Sequence, residues 1–240
     1  MVNISENIKR DLVWSVQNAL SEAGFDIKNQ NTGICNRRAY TISDYIYKNF
    51  KNSFLNKQYE VPIFQRRLWK GFLLVDFTNH YTINIMKETT FLSLKPKDTL
   101  HYLQTLVKIL NSRIPICDSV LNQTSLFEPI KYETPYLESD FLKITNGIVN
   151  PNEFTHLVLL YREEKFQLTN AEIRVLDINM GTYEILSLNE FIKIEYDIDY
   201  IPNKNVEKEH DSNDLISLAD ENLEEILSIK GNEENDIKIS

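Results

Sequence analysis

The stretch Arg66–Glu88, RRLWKGFLLVDFTNHYTINIMKE, decides how this chain folds. Gly71 to Phe77 is apolar except for one carboxylate, Asp76. The pattern predicts two strands, about Trp69–Phe77 and Tyr81–Met86, joined by a hairpin turn at Thr78-Asn79-His80. The unbroken apolar run GFLLV predicts a strand covered on both faces, and so central in its sheet. Alternation places Phe72, Leu74 and Asp76 on one face and Leu73, Val75 and Phe77 on the other. Asp76 then has two readings. It takes part in chemistry, or it ends the strand by accepting the backbone N–H groups of the Thr78-Asn79 turn.

Helical periodicity precedes this hairpin. Ile8, Leu12, Val13, Val16 and Leu20 share one face, with capping-box spacing from Asn3 to Glu6 and Gly24 as the expected stop. A second helix is predicted from Thr41, burying Ile42, Tyr45, Ile46 and Phe50. After the hairpin, Leu103, Leu106, Val107 and Leu110 form a helical stripe, with Asp98 as the expected N-cap and His101 in the first turn. Residues 112–154 carry four prolines and are expected to hold short helices such as LESDFLKI. THLVLLYR, AEIRVLDI and TYEILSL then read as three strands, the last two joined at Asn179-Met180-Gly181. The fold class is α+β: N-terminal helices on a mostly antiparallel sheet of about five to six strands. Residues 1–202 are expected as one domain, with a possible seam at 112–154. Residues 203–240 form an acidic linker and an amphipathic helix that presents Leu215, Leu223, Ile226 and Leu227 on one face.

The net charge of −9 is unevenly placed. Residues 1–130 hold 16 Lys/Arg against 11 Asp/Glu, and residues 131–240 hold 10 against 24. A basic, aromatic-rich set in the first half includes Arg37, Arg38, Arg66, Arg67 and Lys70, which suits single-stranded nucleic acid. Overall acidity argues against non-specific nucleic-acid binding. Only Cys35 and Cys117 occur, in no pairing or zinc pattern, as expected of free cytosolic thiols. The N-terminus MVNISENIKR has no apolar signal core and no run is long enough to span a membrane, so a cytoplasmic location is expected. No glycine-rich phosphate loop, GxSxG elbow or HExxH occurs, and no cofactor or metal is expected.

Trp69-Lys70, Asp76, Met86-Lys87-Glu88, Phe91, Leu94, His101-Tyr102, Leu103, Leu106 and Asn111 together form a pattern. In these positions the block Arg67–Asn111 resembles an uncharacterised bacterial and phage family, a domain of unknown function. The resemblance implies a small α+β protein with no assigned activity. It also suggests an accessory role in a phage-defence or mobile-element system.

Two function classes follow. The favoured one is a binding or regulatory module. It engages a protein partner or itself, through the tail helix, or nucleic acid through the basic N-terminal face. The alternative is a metal-dependent hydrolase or nuclease using Asp76 and His101, with His80 nearby. The strand Tyr81–Met86 lacks the acid two residues before Lys87 that a nuclease triplet needs, because position 85 is isoleucine. His101, near a helix N-terminus, is expected to be neutral with a usable lone pair.

Overall fold

The apolar run Gly71–Phe77 does not form one strand. The computed structural model describes residues 4–29, 38–55, 58–66, 69–94, 101–117, 134–148 and 150–193. In it the run breaks at Leu73, whose N–H donates to Pro62 O (3.1 Å). Before the break, β3 (Trp69–Phe72) pairs antiparallel with β2 (Ile63–Arg66) in a two-stranded sheet. After it, β4 (Leu74–Asp76) enters the main sheet between β1 (Tyr59–Glu60) and β5 (Tyr81–Lys87). The main sheet continues through β6 (Thr155–Glu164), β7 (Gln167–Leu176) and β8 (Thr182–Ser187), in the order β1-β4-β5-β6-β7-β8. Every pairing is antiparallel except β5 with β6, so the sheet is mixed.

That parallel pair makes a crossover necessary, because no tight turn joins parallel neighbours. The crossover carries α3 (Glu88–Leu92), α4 (Tyr102–Leu110) and α5 (Thr134–Thr145). The N-terminal helices, α1 (Glu6–Asn29) and α2 (Arg38–Phe54), pack on the other side. Strand alternation separates the two cores. Leu74, Ile83, Leu157 and Leu159 meet Leu12, Val16, Leu20, Ile46 and Phe50 from α1 and α2. Val75, Met86, Val158 and Leu160 meet Leu103, Leu106, Val107, Phe141 and Ile144 from α4 and α5. Each fully buried Leu, Ile or Phe contributes about 1.5–3 kcal/mol by removal from water.

The α+β class and the strand number stand, with a second helical layer that periodicity alone does not place. Coverage of GFLLV on both faces also stands, since Leu73, Leu74 and Val75 are all buried. Its central position does not. β5 and β6 are central, and β4 is second from an edge made by the two residues of β1. The chain divides into two units, Met1–Ile194 and Glu195–Ser240, and the second lies outside the described residues. Residues 112–154 fall within the first.

Gly24 does not stop α1, which continues to Asn29. Its role is close approach. A Cβ there would lie 2.8 Å from Phe166 Cγ. Phe166 and Lys165 form the β6–β7 turn with φ of 68° and 49°, a left-handed backbone that side chains resist. The Phe166 ring pressed on Gly24 holds this turn. Gly24→Ala is therefore expected to lower stability by about 1–2 kcal/mol, although alanine favours helix. Thermal unfolding of the variant checks this, and a raised Tm would sink it.

Candidate functional site

Asp76 is fully buried and committed locally. Its Oδ1 accepts from the backbone N–H of Thr78 and of Asn79 (both 2.9 Å), and Oδ2 accepts from Asn79 Nδ2 (2.8 Å). These bonds wind the turn that carries His80 at φ 55°. The exposed His80 ring lies 5.3 Å from the Phe154 ring. Asp76 shares a sheet face with Leu74 and Tyr81, toward α1 and α2. Burial first, then the nearby Asp76 charge, holds the Tyr81 hydroxyl far above its ordinary range.

His101 sits on the opposite face. It is the N-cap of α4 rather than a first-turn residue: its Nδ1 accepts from Leu103 N–H (3.3 Å), and its own N–H donates to Gln104 Oε1 (2.9 Å). The lone pair expected from its position is thus engaged in the cap. The Asp98 cap expected from sequence lies outside the described residues. α4 ends at Asn111, which bonds His156, the register partner of Thr82 beside Tyr81. His101 is therefore about 15 Å of helix away from the end near Asp76, as well as across the sheet. The structure does not bring Asp76 and His101 together. Among the described residues no group of three His, Cys, Asp or Glu is placed to hold a metal ion.

His156, a histidine that the sequence gives no role, sits at the centre of a buried polar network. Asn84 Nδ2 donates to the Tyr102 hydroxyl (3.2 Å), which turns Asn84 Oδ1 to His156 Nε2 (3.0 Å). Nε2 therefore carries the proton, and Nδ1 accepts from the Thr82 hydroxyl (2.7 Å). Burial pushes the His156 imidazole down to about 3. Asn111 completes the network where β6 and β7 separate. Its amide donates to His156 O (2.9 Å) and Leu176 O (2.8 Å) and accepts from His156 N–H (2.7 Å), as a strand's peptide group would. Asp177, also buried, winds the β7–β8 turn by accepting from the N–H groups of Asn179, Gly181 and Cys117.

Glu163 gathers charge at the far end of β6. Both carboxylate oxygens lie 3.2 Å from Arg38, Oε1 also lies 3.2 Å from Lys87, and Oε2 accepts from Phe166 N–H (3.1 Å). Burial works against its charge, but the Phe166 N–H, Arg38 and Lys87 outweigh it and hold the carboxyl below its ordinary value. Arg38 also stacks 4.3 Å over the Phe166 ring. Together these contacts fasten the strained turn to α2. A cavity of about 10 Å³ between Ile4, Leu157, Ile173, Val175, Glu184 and Leu186 has room for one water and no substrate.

Outward-turned peptide groups lie at the edge of the sheet. Leu188 N–H donates to Ala171 O (2.8 Å), and the same register puts Leu186 opposite Ile173 and Glu184 opposite Val175. Antiparallel pairs alternate between bonded and non-bonded. Ile185 and Ser187 therefore turn their N–H and C=O away from β7, at an edge with no further strand among the described residues. The Tyr183 and Ile185 side chains beside them are 49% and 56% exposed. The opposite edge is blunted, because β1 has two residues and Pro62 follows it closely.

A family model described as a family of unknown function (DUF5986) matches residues 2–236. The chain belongs to that family. The resemblance seen in Arg67–Asn111 thus widens to residues 2–236 of this chain. No curated protein and no solved structure matches it.

In this DUF5986 member the basic set is scattered in role. Arg38 faces Glu163, while Lys70 is exposed on β3 and Arg66 lies opposite Trp69 at the β2–β3 hairpin end. Arg37 and Arg67 lie outside the described residues, as do Cys35 and the tail residues Leu215, Leu223, Ile226 and Leu227. The Cys117 Sγ donates to Thr182 O (3.2 Å). No described helix is long and apolar enough to cross a membrane. Sequence reasoning gave no structural role to three working residues, Asn111, His156 and Glu163, although Asn111 stands in the pattern that carries the family resemblance. A polar residue inside an apolar stripe was the available signal, at His156 before LVLLY and at Asn111 after VKIL.

Proposed function

We propose that this chain is a cytoplasmic binding module whose β8 edge takes an extended strand of a protein partner. The observation that carries this reading is the pair of outward-turned peptide groups at Ile185 and Ser187, flanked by exposed Tyr183 and Ile185. Main-chain groups supply affinity in this mode, and alternate side chains supply selectivity. The chain's polar residues support it from the other side, because Asp76, Asp177, His101 and His156 are each engaged in the chain's own turns, caps and core.

A photo-crosslinking residue at position 183, in cells that make the protein, tests the reading. One defined partner protein is expected, lost when Ile185→Lys is added. Labelling no stronger than from exposed Glu138 on α5 would remove it.

A further inference from the structure

We infer that the strand taken by the β8 edge is β8 of a second copy, paired antiparallel across a two-fold axis through Ile185. This rests on the edge-binding reading and names its partner. A two-fold axis normal to the sheet keeps each face on its own side, so odd-numbered residues must meet odd-numbered ones. Only Ile185 and Ser187 turn their peptide groups outward in the established alternation, so the hydrogen-bonded pairs must include them. Placing Ile185 on the axis satisfies both conditions. The two Ile185 residues exchange two N–H···O bonds, and Ser187 of each copy faces Tyr183 of the other.

The charge pattern removes one neighbouring register, and the contact between the two 185 positions tested below separates the proposed register from the other. Glu184 is the only charged residue on β8. With Ile185 on the axis, each Glu184 lies opposite Leu186 of the other copy. A shift of two residues, pairing Tyr183 with Ile185, would set Glu184 directly against Glu184, which is destabilising. The available edge is short and bounded. Cys117 lies against Thr182 O at one end, and the Asn189–Phe191 turn leaves the edge after Ser187 at the other. An edge of this length matches itself end to end under the two-fold. Two six-stranded sheets would become one continuous sheet, with the exposed Ile185 side chains in contact at its centre.

The test uses the full chain in sedimentation equilibrium, with Tm measured in parallel. Wild type is expected to dimerise. Ile185→Lys and Ile185→Glu alone each weaken the dimer about 100-fold by setting like charges on the axis. Neither should change Tm by more than the loss of dimer explains, since position 185 makes no bond to β7. Mixing the two variants should restore a one-to-one heterodimer, because only a 185-to-185 contact brings the opposite charges together. A wild type that stays monomeric overturns the inference, as does a mixture that stays monomeric while wild type dimerises. A synthetic peptide TYEILS separates this from the edge reading. If wild type is monomeric yet the peptide slows exchange of the Ile185 and Ser187 amides, self-pairing fails and the edge survives. If the peptide leaves those amides unchanged, both fail.

Discussion

Asn111→Ala should lower the unfolding free energy by about 4 kcal/mol, the largest loss expected from one polar substitution in this chain. The side chain makes three bonds to buried backbone groups, His156 N–H, His156 O and Leu176 O. Alanine leaves all three unsatisfied, at about 1–3 kcal/mol each before relaxation. They sit where β6 and β7 diverge, so no neighbouring strand replaces the amide. Asn111→Asp should be at least as harmful, because a carboxylate keeps the bond to His156 N–H but points an anion at two carbonyl oxygens. Urea unfolding measures both, and a loss under about 1 kcal/mol would show that the strands close over the gap.

Acid should destabilise the fold through His156. In the folded chain its imidazole stays neutral down to about 3, whereas the exposed ring of the unfolded chain takes a proton near 6.5. The folded value is depressed, so the stabilising contribution is complete above 6.5. It is lost as pH falls from there toward about 3, where the unfolded state holds the extra proton. Between pH 7 and pH 5 the expected loss is about 2 kcal/mol. Protonation would also put a donor where Nδ1 accepts from Thr82. His156→Gln keeps an amide donor and an acceptor in the ring's place, so it should fold with a much flatter pH dependence over this window. Equal slopes in wild type and variant would discard the account. Glu163 acts lower on the scale. Its depressed carboxyl adds stability present above the unfolded carboxylate value and lost as pH falls through the folded one.

These two predictions rest on residues that the sequence marks weakly. His156 opens a strand and Asn111 closes a helix, and nothing local relates them across 45 residues. Asp76 shows the reverse. It is conspicuous in an apolar run, yet its bonds reach only three residues along the chain. That local account was legible because Asp hydrogen bonds its own turn in a recurrent way. The candidate pairing of Asp76 with His101 was not decidable from spacing. Which face of the sheet each residue meets depends on the side that the crossover takes.

The amino-acid sequence by itself determined the elements: a helical pair, a hairpin after GFLLVD, a stripe through Leu103–Leu110 and three late strands. Periodicity of 2 and of 3.6 residues is a property of short stretches, and burial of one face suffices to select it. Tertiary structure alone decided that Leu73 divides one apolar run between two sheets, that β5 and β6 run parallel with a helical layer on each side, and that β8 is the edge strand among the described residues. Those outcomes depend on contacts between segments far apart in the chain. There the geometry of packing and the need to satisfy every buried peptide group choose among arrangements that local patterns leave equal.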